Sequence, residues 1–249
     1  PDGECPECGL PVARSVMQTL GATPANALRR ALRIVFWGTI AMYVGGIIIV
    51  IVTFALAIQM ASGGSSFTSV HWSAQAAGVG AYAFLAWAWW MVTAPLPATP
   101  RESDARRSRL GVRISLALLI TIMLGSIAKQ VLAPYVPPVG NPGANQIFTP
   151  SVLIDLGFSV AQWITEMVML GFQASYLRFL ARRIPGQPGL GLANTNAWLV
   201  PVIAVLSVIS CGLGQLVASV LLIISIGMIA AGIKRYVDWL EGNAAPQTA

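Results

Sequence analysis

Long apolar runs dominate this sequence and restrict its fold more than any other feature. A helix needs roughly 20 apolar residues to cross the hydrocarbon core of a bilayer. Runs of that length or longer occupy 34–60, 74–94, 112–133, 151–176 and 198–233. The sequence therefore predicts an all-α fold, that of a polytopic helical membrane protein.

The fifth run is too long for one membrane-spanning helix. At ~1.5 Å per residue, a single helix over 198–233 would reach about 54 Å, well beyond a core of roughly 30 Å. We expect the run to fold back at Gly212 and Gly214, because glycine adopts left-handed backbone angles at little cost. The prediction is six transmembrane helices, the fifth of them short.

The composition agrees with a lipid environment. Hydrophobic residues make up 56% of the 249 residues and charged residues only 10%, with a mean hydropathy of +0.72. Soluble domains usually carry about 25% charged residues. A net charge of +6 and a pI near 9.7 would also suit a nucleic-acid partner, but the placement of the charges excludes that interpretation.

The basic residues collect on one side of the predicted topology. Cytoplasmic loops are enriched in Lys and Arg, and with six helices and a cytoplasmic N-terminus only Lys129 of the 15 basic residues falls outside. A single last helix would move Lys234 and Arg235 to the outside. We expect both termini in the cytoplasm, a cytoplasmic (inner) membrane location, the lipid bilayer as partner and no nucleic acid. The sequence does not indicate an oligomeric state. The residues assigned to the inside are Arg14, Arg29, Arg30, Arg33, Arg101, Arg106, Arg107, Arg109, Arg113, Arg178, Arg182, Arg183, Lys234 and Arg235.

Two groups of side chains are expected at the cytoplasmic interface. Arg178, Arg182 and Arg183 follow the fourth helix, and their long side chains can extend to lipid headgroups. Tryptophan favours the same depth because its indole is amphipathic. The tryptophans assigned there are Trp37, Trp87, Trp89, Trp90, Trp198 and Trp239.

The predicted organisation has four parts. Residues 1–15 form a partial zinc-ribbon knuckle, 16–33 a cytoplasmic linker or juxtamembrane helix, 34–241 the transmembrane domain and 242–249 a disordered tail. Close helix packing is expected at small residues, namely Gly45 and Gly46 in the first helix and Ala76 and Gly80 in the second. The six predicted spans are 34–60, 74–94, 112–133, 151–177, 196–211 and 215–235.

The N-terminal segment contains half of a metal site. Cys5 and Cys8, followed by Gly9, have the spacing of a zinc-ribbon knuckle, and a cytoplasmic location keeps such thiols reduced. Structural zinc takes four ligands, so two more must come from outside this segment. The predicted topology puts Cys211 and His71 on the far side of the membrane. Zinc is the one cofactor expected, and a protein partner could bind at the knuckle.

Two segments resemble a known group of proteins. "PDGECPECGLPVARS", residues 1–15, and "YLRFLARRIPG", residues 176–186, are similar to segments of uncharacterised multi-pass bacterial membrane proteins with an N-terminal CPxCG zinc ribbon. In that group an upstream C-x-x-C-G precedes the C-P-x-C-G knuckle, and this sequence contains only the second knuckle. The resemblance implies architecture and a zinc-binding element, and it implies no activity.

Polar residues form a stripe along the predicted fourth helix. Gln162, Glu166 and Gln173 follow Asp155 by 7, 11 and 18 residues, so at 100° per residue the four project within about 20° of one another. A charged side chain at the bilayer centre costs about 2.5–3.5 kcal/mol, so the stripe should face protein or water. Lys129 lies about one turn from the outer end of the third helix, and Asp155 lies about one turn inside the outer start of the fourth. The two are therefore at a similar depth, and we expect them to form an ion pair. Glu166 lies deeper, where a Gln or Ser of a neighbouring helix could contact it.

Two functions fit these features. The first is an interaction, scaffold or assembly component, in which the polar stripe joins helices. The alternative is a small transporter or channel subunit that uses Glu166, Asp155 and Lys129. Enzyme activity is not expected, because the chain has one His and lacks phosphate-binding glycine motifs and a nucleophile elbow. A water-filled path to Glu166 would favour transport, whereas side chains packed against it would favour helix association.

Overall fold

The described part of the chain is entirely helical. The computed structural model describes residues 22–61, 67–94, 102–132, 150–184, 189–206 and 213–244, and no strand occurs within these ranges. The helices are α1 (Ala22–Ala61), α2 (Phe67–Val92), α3 (Glu102–Leu132), α4 (Pro150–Ala181), α5 (Leu190–Leu206) and α6 (Leu213–Ala244).

Four of these helices are long and apolar enough to cross a membrane. α2 and α5 contain shorter apolar stretches, Ala76–Val92 and Leu190–Ile203. Large apolar side chains also face outward, as at Leu132, which is 84% exposed, and lipid is the solvent that tolerates such a surface. The predicted class, a helical membrane protein, is confirmed. The four candidate spans are Pro24–Ile49, Arg106–Lys129, Leu153–Ala181 and Gly214–Trp239.

The helices extend beyond the apolar runs that predicted them. α1 begins at Ala22, so the predicted segment 16–33 and the first span form one helix over their described part. α3 begins at Glu102 instead of residue 112. α6 continues to Ala244, so the disordered tail predicted at 242–249 starts too early. The reason is that Ala, Leu, Arg and Glu propagate a helix into water, whereas hydropathy marks only its apolar part.

The run 198–233 does divide into two helices, as predicted. α5 and α6 pack side by side, and the buried Asn196 amide of α5 donates to the Leu221 carbonyl at 3.1 Å and to the Ser225 hydroxyl at 2.7 Å. The predicted turn residue Gly214 instead lies inside the first turn of α6. Gly212 falls outside the described residues. Gly189, with a φ of 74°, precedes α5 in a conformation that favours glycine.

The helices pack in a closed ring. Each helix contacts the next along the chain, α6 contacts α1, and α4 also contacts α6 across the interior. The tightly buried side chains, which include Leu32, Trp89, Leu177 and Ile229, lie in the half of the bundle where α1 begins. Trp89 is 1% exposed, so its side chain packs in the core and does not face lipid headgroups; its depth near the inner interface stays a prediction.

Neighbouring helices alternate in direction, which brings six helix ends together. Asn26 near the start of α1 donates to Glu241 near the end of α6 at 3.4 Å, and the Tyr176 hydroxyl of α4 donates to the Val92 carbonyl at the end of α2 at 3.0 Å. We call this the basic end, since among the described basic residues only Lys129 lies at the opposite one. Its members are Arg29, Arg30, Arg33, Arg106, Arg107, Arg109, Arg113, Arg178, Arg182, Arg183, Lys234 and Arg235.

Close packing uses other glycines than those predicted. A Cβ added at Gly45, Gly46 or Gly80 would meet no atom within 4 Å, so the prediction of packing sites there is wrong. At Gly38, in contrast, a Cβ would lie 2.7 Å from Cε1 of Phe84, and at Gly111 it would collide with the ring of Phe172. The side chain opposite the glycine, not the small residue alone, determines a close approach.

Candidate functional site

The predicted polar stripe of α4 is exposed at its Asp155 end and buried inside the bundle toward Gln173. The Asp155 side chain is 48% exposed, whereas Glu166 is 7% and Gln173 is 3% exposed. Gln162 is partly buried between them. The stripe thus faces protein over its deeper part, which agrees with the cost of leaving polar groups in lipid.

The ion pair expected between α3 and α4 is present. Nζ of Lys129 lies 2.6 Å from Oδ2 of Asp155, and the Lys129 side chain is only 17% exposed. The pair joins the end of α3 to the first turns of α4, at the end of the bundle opposite the basic end. It therefore ties together the two helices on either side of residues 133–149, which lie outside the described residues.

Glu166 is held by side chains of three helices. Its Oε1 atom accepts a 2.7 Å hydrogen bond from the Tyr82 hydroxyl of α2 and a 3.1 Å bond from the Gln162 amide one turn earlier in α4. Its Oε2 atom accepts a hydrogen bond from the Gln215 amide of α6. The expected contact with a Gln of a neighbouring helix is confirmed. Both carboxyl oxygens are thus engaged, which offsets the cost of burying this group.

A second layer of polar contacts extends the Glu166 cluster to α1. The Tyr43 hydroxyl of α1 shares a hydrogen bond with the Ser219 hydroxyl of α6. Ser219 also donates to the Gln215 carbonyl at 2.8 Å. We use "Glu166 cluster" for Tyr43, Tyr82, Gln162, Glu166, Gln215 and Ser219. Among the described residues, no hydrogen bond joins Gln173 to this cluster.

The sequence predictions missed four of these six side chains. Tyr43, Tyr82, Gln215 and Ser219 come from α1, α2 and α6, and no sequence pattern relates their depths to that of Glu166. One signal was available: Gln215 and Ser219 are spaced by four and share a face in the apolar first part of α6. Such a pair would have predicted a polar partner inside the bundle.

A lipid-facing groove runs between α1 and α2 beside the cluster. It has a volume of about 530 Å³ and is lined largely by aliphatic residues and glycines, such as Gly45, Ile49 and Gly78, together with Tyr43 and Tyr82. Glu166 is not among the residues that line it. The two tyrosines separate the groove from the carboxyl group, so the wall facing the cluster is protein and not water.

The three arginines assigned to lipid headgroups have different surroundings. Nε of Arg178 donates to Oδ1 of Asn194 in α5 at 2.7 Å, so this guanidinium makes a contact within the protein. Cζ of Arg183 lies 4.8 Å from the centroid of the Phe179 ring. Arg182 is exposed. The headgroup role stays a prediction, and Arg182 is the residue of the three whose exposure fits it best.

Arg113 stabilises the C-terminal end of α2. Arg113 of α3 donates from Nε to the Thr93 hydroxyl at 2.9 Å and from Nη2 to the Thr93 carbonyl at 2.8 Å. Its Cζ atom lies 4.0 Å from the centroid of the Trp90 ring. These bonds satisfy groups that the end of a helix leaves without intrahelical partners. The sequence had assigned Arg113 only to the cytoplasmic side.

The predicted metal ligands fall outside the described side chains. Cys5 and Cys8 lie outside the described residues, as does Cys211, and the side chain of His71 is not described. Within the described ranges, no group of three or more His, Cys, Asp or Glu side chains could hold a metal ion. Zinc binding at Cys5 and Cys8 stays a prediction from the sequence.

Comparisons with known proteins returned no match. No protein-family model matches the chain, and searches of curated proteins and of solved structures found none that is similar to it.

Proposed function

We propose that the chain is a six-span, non-enzymatic protein of the bacterial cytoplasmic membrane that serves as an interaction, scaffold or assembly component. The segregation of basic side chains supports this orientation, because Lys and Arg collect on the cytoplasmic side of membrane proteins. In this orientation the basic end and both chain termini face the cytoplasm, and the Lys129–Asp155 pair faces outward. α2 and α5 span the membrane together with the four longer helices.

The engagement of Glu166 carries the proposal. A proton or cation carrier needs access to water and freedom to change partners, but the Glu166 carboxyl is 7% exposed and accepts hydrogen bonds from Tyr82, Gln162 and Gln215. Such an arrangement indicates a fixed joint, meaning a side chain that holds α2, α4 and α6 in one packing arrangement. Polar contacts of this kind associate helices in membranes.

The knuckle at Cys5 and Cys8 is proposed as the contact point for a protein partner. Two thiolates leave a tetrahedral zinc site half complete, so a second ligand pair from another chain, or from a segment upstream of residue 1, would close it. Measuring zinc per chain in the protein purified from native membranes with its bound partners retained, with and without Cys5→Ser and Cys8→Ser, tests this part. Loss of bound zinc in the double variant is expected, and equal zinc in both would contradict it.

The second candidate function is transport, with Glu166 as the carrier and Lys129 and Asp155 as an outer gate. The observation that favours it is the groove between α1 and α2, which extends to Tyr82, the hydrogen-bond donor to Glu166. Rearrangement of Tyr82 and Tyr43 would open the groove toward the carboxyl group. The lining of the groove is largely apolar, and for this reason we place transport second.

Proton uptake by proteoliposomes distinguishes the two functions. Wild type, Glu166→Gln and protein-free liposomes carrying an internal pH-sensitive dye are compared after an imposed membrane potential. The scaffold proposal expects all three to take up protons at the same rate. Faster uptake by wild type that is lost in Glu166→Gln would support transport and reject the proposal.

A further inference from the structure

A small groove between α1 and α6 at the basic end combines cations with an apolar wall. Its volume is about 260 Å³, and Arg29, Arg33 and Lys234 line it together with the aromatic Trp37. Gly227 and two alanines form the opposite wall on α6. The groove is therefore amphipathic, with positive charge toward the cytoplasmic end and apolar surface deeper in the membrane.

The spacing of residues along the two helices creates this groove. Arg29 and Arg33 are four residues apart and so lie one turn apart on the same face of α1. On α6, Gly227 and Lys234 are seven residues apart and therefore lie about two turns apart on the same face. A Cβ at Gly227 would come within 3.2 Å of Cε2 of Phe36, so the Phe36 ring packs against Gly227, and both residues line the groove.

The three cations form no ion pair in the described part of the chain, and the carboxylate closest in sequence, Asp238, lies one turn after Lys234 on α6. No hydrogen bond or ion pair connects Arg29, Arg33 or Lys234 to a described carboxylate. The nearest acidic group with an assigned contact, Glu241, accepts a hydrogen bond from Asn26, and the Lys129–Asp155 pair lies at the other end of the bundle. Like charges around one cleft raise the local concentration of anions.

We infer that this groove binds an anionic phospholipid, with its phosphate among Arg29, Arg33 and Lys234 and an acyl chain along Trp37 and Gly227. Basic pockets between transmembrane helices on the cytoplasmic side bind such headgroups. Trp37 is 61% exposed and offers its ring to the upper part of the acyl chain. The inference depends on α1 and α6 lying in a membrane and not on the scaffold or transport role.

Lipid titration of the detergent-solubilised full chain tests the inference. Dioleoyl phosphatidylglycerol and dioleoyl phosphatidylcholine are added separately, and the bound fraction is measured by native mass spectrometry. The triple variant Arg29→Gln, Arg33→Gln, Lys234→Gln should bind phosphatidylglycerol about a hundredfold more weakly, since each basic residue near an anionic lipid contributes roughly a fivefold factor.

A matched triple variant controls for net charge. Arg30→Gln, Arg106→Gln, Arg235→Gln removes the same charge from exposed positions at the same end, and none of these residues lines the groove. We expect its affinity for phosphatidylglycerol to fall by less than about tenfold. Thermal unfolding of both variants verifies that each remains folded.

Ala231→Phe tests the groove separately from the charges. Ala231 is exposed and lines the groove, so a phenyl ring there should fill the space for the acyl chain while all three cations remain. Binding of phosphatidylglycerol should then fall at least about tenfold. The deacylated headgroup, glycerophosphoglycerol, should compete poorly with the intact lipid.

Three results would overturn the inference. Equal losses in the two triple variants would mean that binding follows general charge. Unchanged binding by Ala231→Phe would mean that no acyl chain occupies the groove. Competition by glycerophosphoglycerol as strong as by the intact lipid would identify a site for a free anion instead of a lipid.

Discussion

The Tyr82 hydroxyl donates a 2.7 Å hydrogen bond to Oε1 of Glu166 and thereby joins α2 to α4, which are not direct neighbours in the helix ring. The bond crosses the interior of the bundle. Together with the hydrogen bond from the Tyr176 hydroxyl of α4 to the Val92 carbonyl of α2, it connects two helices that are otherwise joined through α3. These polar contacts make the ring a single packed unit. The stability of the bundle should therefore depend on individual polar side chains near Glu166.

Removing the Tyr82 hydroxyl should destabilise the bundle. Tyr82→Phe leaves Oε1 of Glu166 with one donor fewer, and loss of a buried hydrogen bond costs about 1–3 kcal/mol. Unfolding by sodium dodecyl sulfate in mixed micelles measures the change in free energy. In a Glu166→Leu background the same substitution should cost nothing or restore some stability, because the acceptor is already gone and the substitution removes a donor left unsatisfied. An equal cost in both backgrounds would show that the Tyr82 ring, and not its hydrogen bond, is responsible.

The Lys129–Asp155 pair should contribute modestly to stability. The Asp155 side chain is 48% exposed, and ion pairs with such exposure are worth about 0.2–1 kcal/mol. We expect Asp155→Asn to lower the free energy of unfolding by about that amount, and the exchange Lys129→Asp with Asp155→Lys to recover most of it. Lys129→Arg serves as the control that keeps the charge. A double exchange less stable than either single variant would rule out the pair as the source.

Glycine positions provide a test of helix packing. A Cβ at Gly111 would collide with the Phe172 ring, so Gly111→Ala should cost about 1–3 kcal/mol through overpacking between α3 and α4. Gly157 in α4 has no atom within 4 Å of such a Cβ. Gly157→Ala should therefore be neutral or gain up to about 1 kcal/mol from better helix propensity. Similar unfolding energies for the two variants would contradict the packing described for Gly111.

Cysteine labelling tests the proposed six-span orientation. Single cysteines are placed at Leu132 and Leu206, at the ends of α3 and α5, and at Arg182 and Arg235 of the basic end, after Cys5, Cys8 and Cys211 are changed to serine. A membrane-impermeant maleimide added to intact cells should label the first two positions only. Labelling of Arg182→Cys or Arg235→Cys before permeabilisation would place the basic end outside. Protection of Leu206→Cys together with labelling of Leu132→Cys would reject α5 as a span.

The sequence predicted contacts between helices that are adjacent in the chain. Lys129 and Asp155 lie near the two ends of one connection, so counting helical turns from those ends was sufficient to place them at one depth. The division of the run 198–233 followed from length alone, since a single helix would exceed the membrane thickness. Predictions of this kind need only the rise per residue and the position of the apolar runs.

Contacts between distant helices could not be predicted in this way. Tyr82 and Gln215 contact Glu166 only because α2 and α6 have a particular shift and rotation relative to α4. Side-chain packing across the bundle determines that shift and that rotation. The same limit explains the glycines: Gly80 and Gly111 look alike in sequence, and only the presence of Phe172 opposite Gly111 separates them. Helix ends also extended past the apolar runs, because helix propensity in polar sequence leaves no hydropathy signal.

The sign of the stability change on replacing Glu166 tests the central claim most directly. If Glu166 joins helices, its replacement should lower the free energy of unfolding. If it belongs to a transport site, its replacement should leave that free energy unchanged or raise it, because functional sites commonly retain buried polar groups at a cost to stability. Unfolding free energies of wild type, Glu166→Gln and Glu166→Leu in mixed micelles give the sign. If Glu166 joins helices, Glu166→Leu leaves the donors on Tyr82, Gln162 and Gln215 unsatisfied and lowers stability by about 2–4 kcal/mol, and Glu166→Gln lowers it less. A Glu166→Leu variant as stable as wild type, or more stable, would contradict the account.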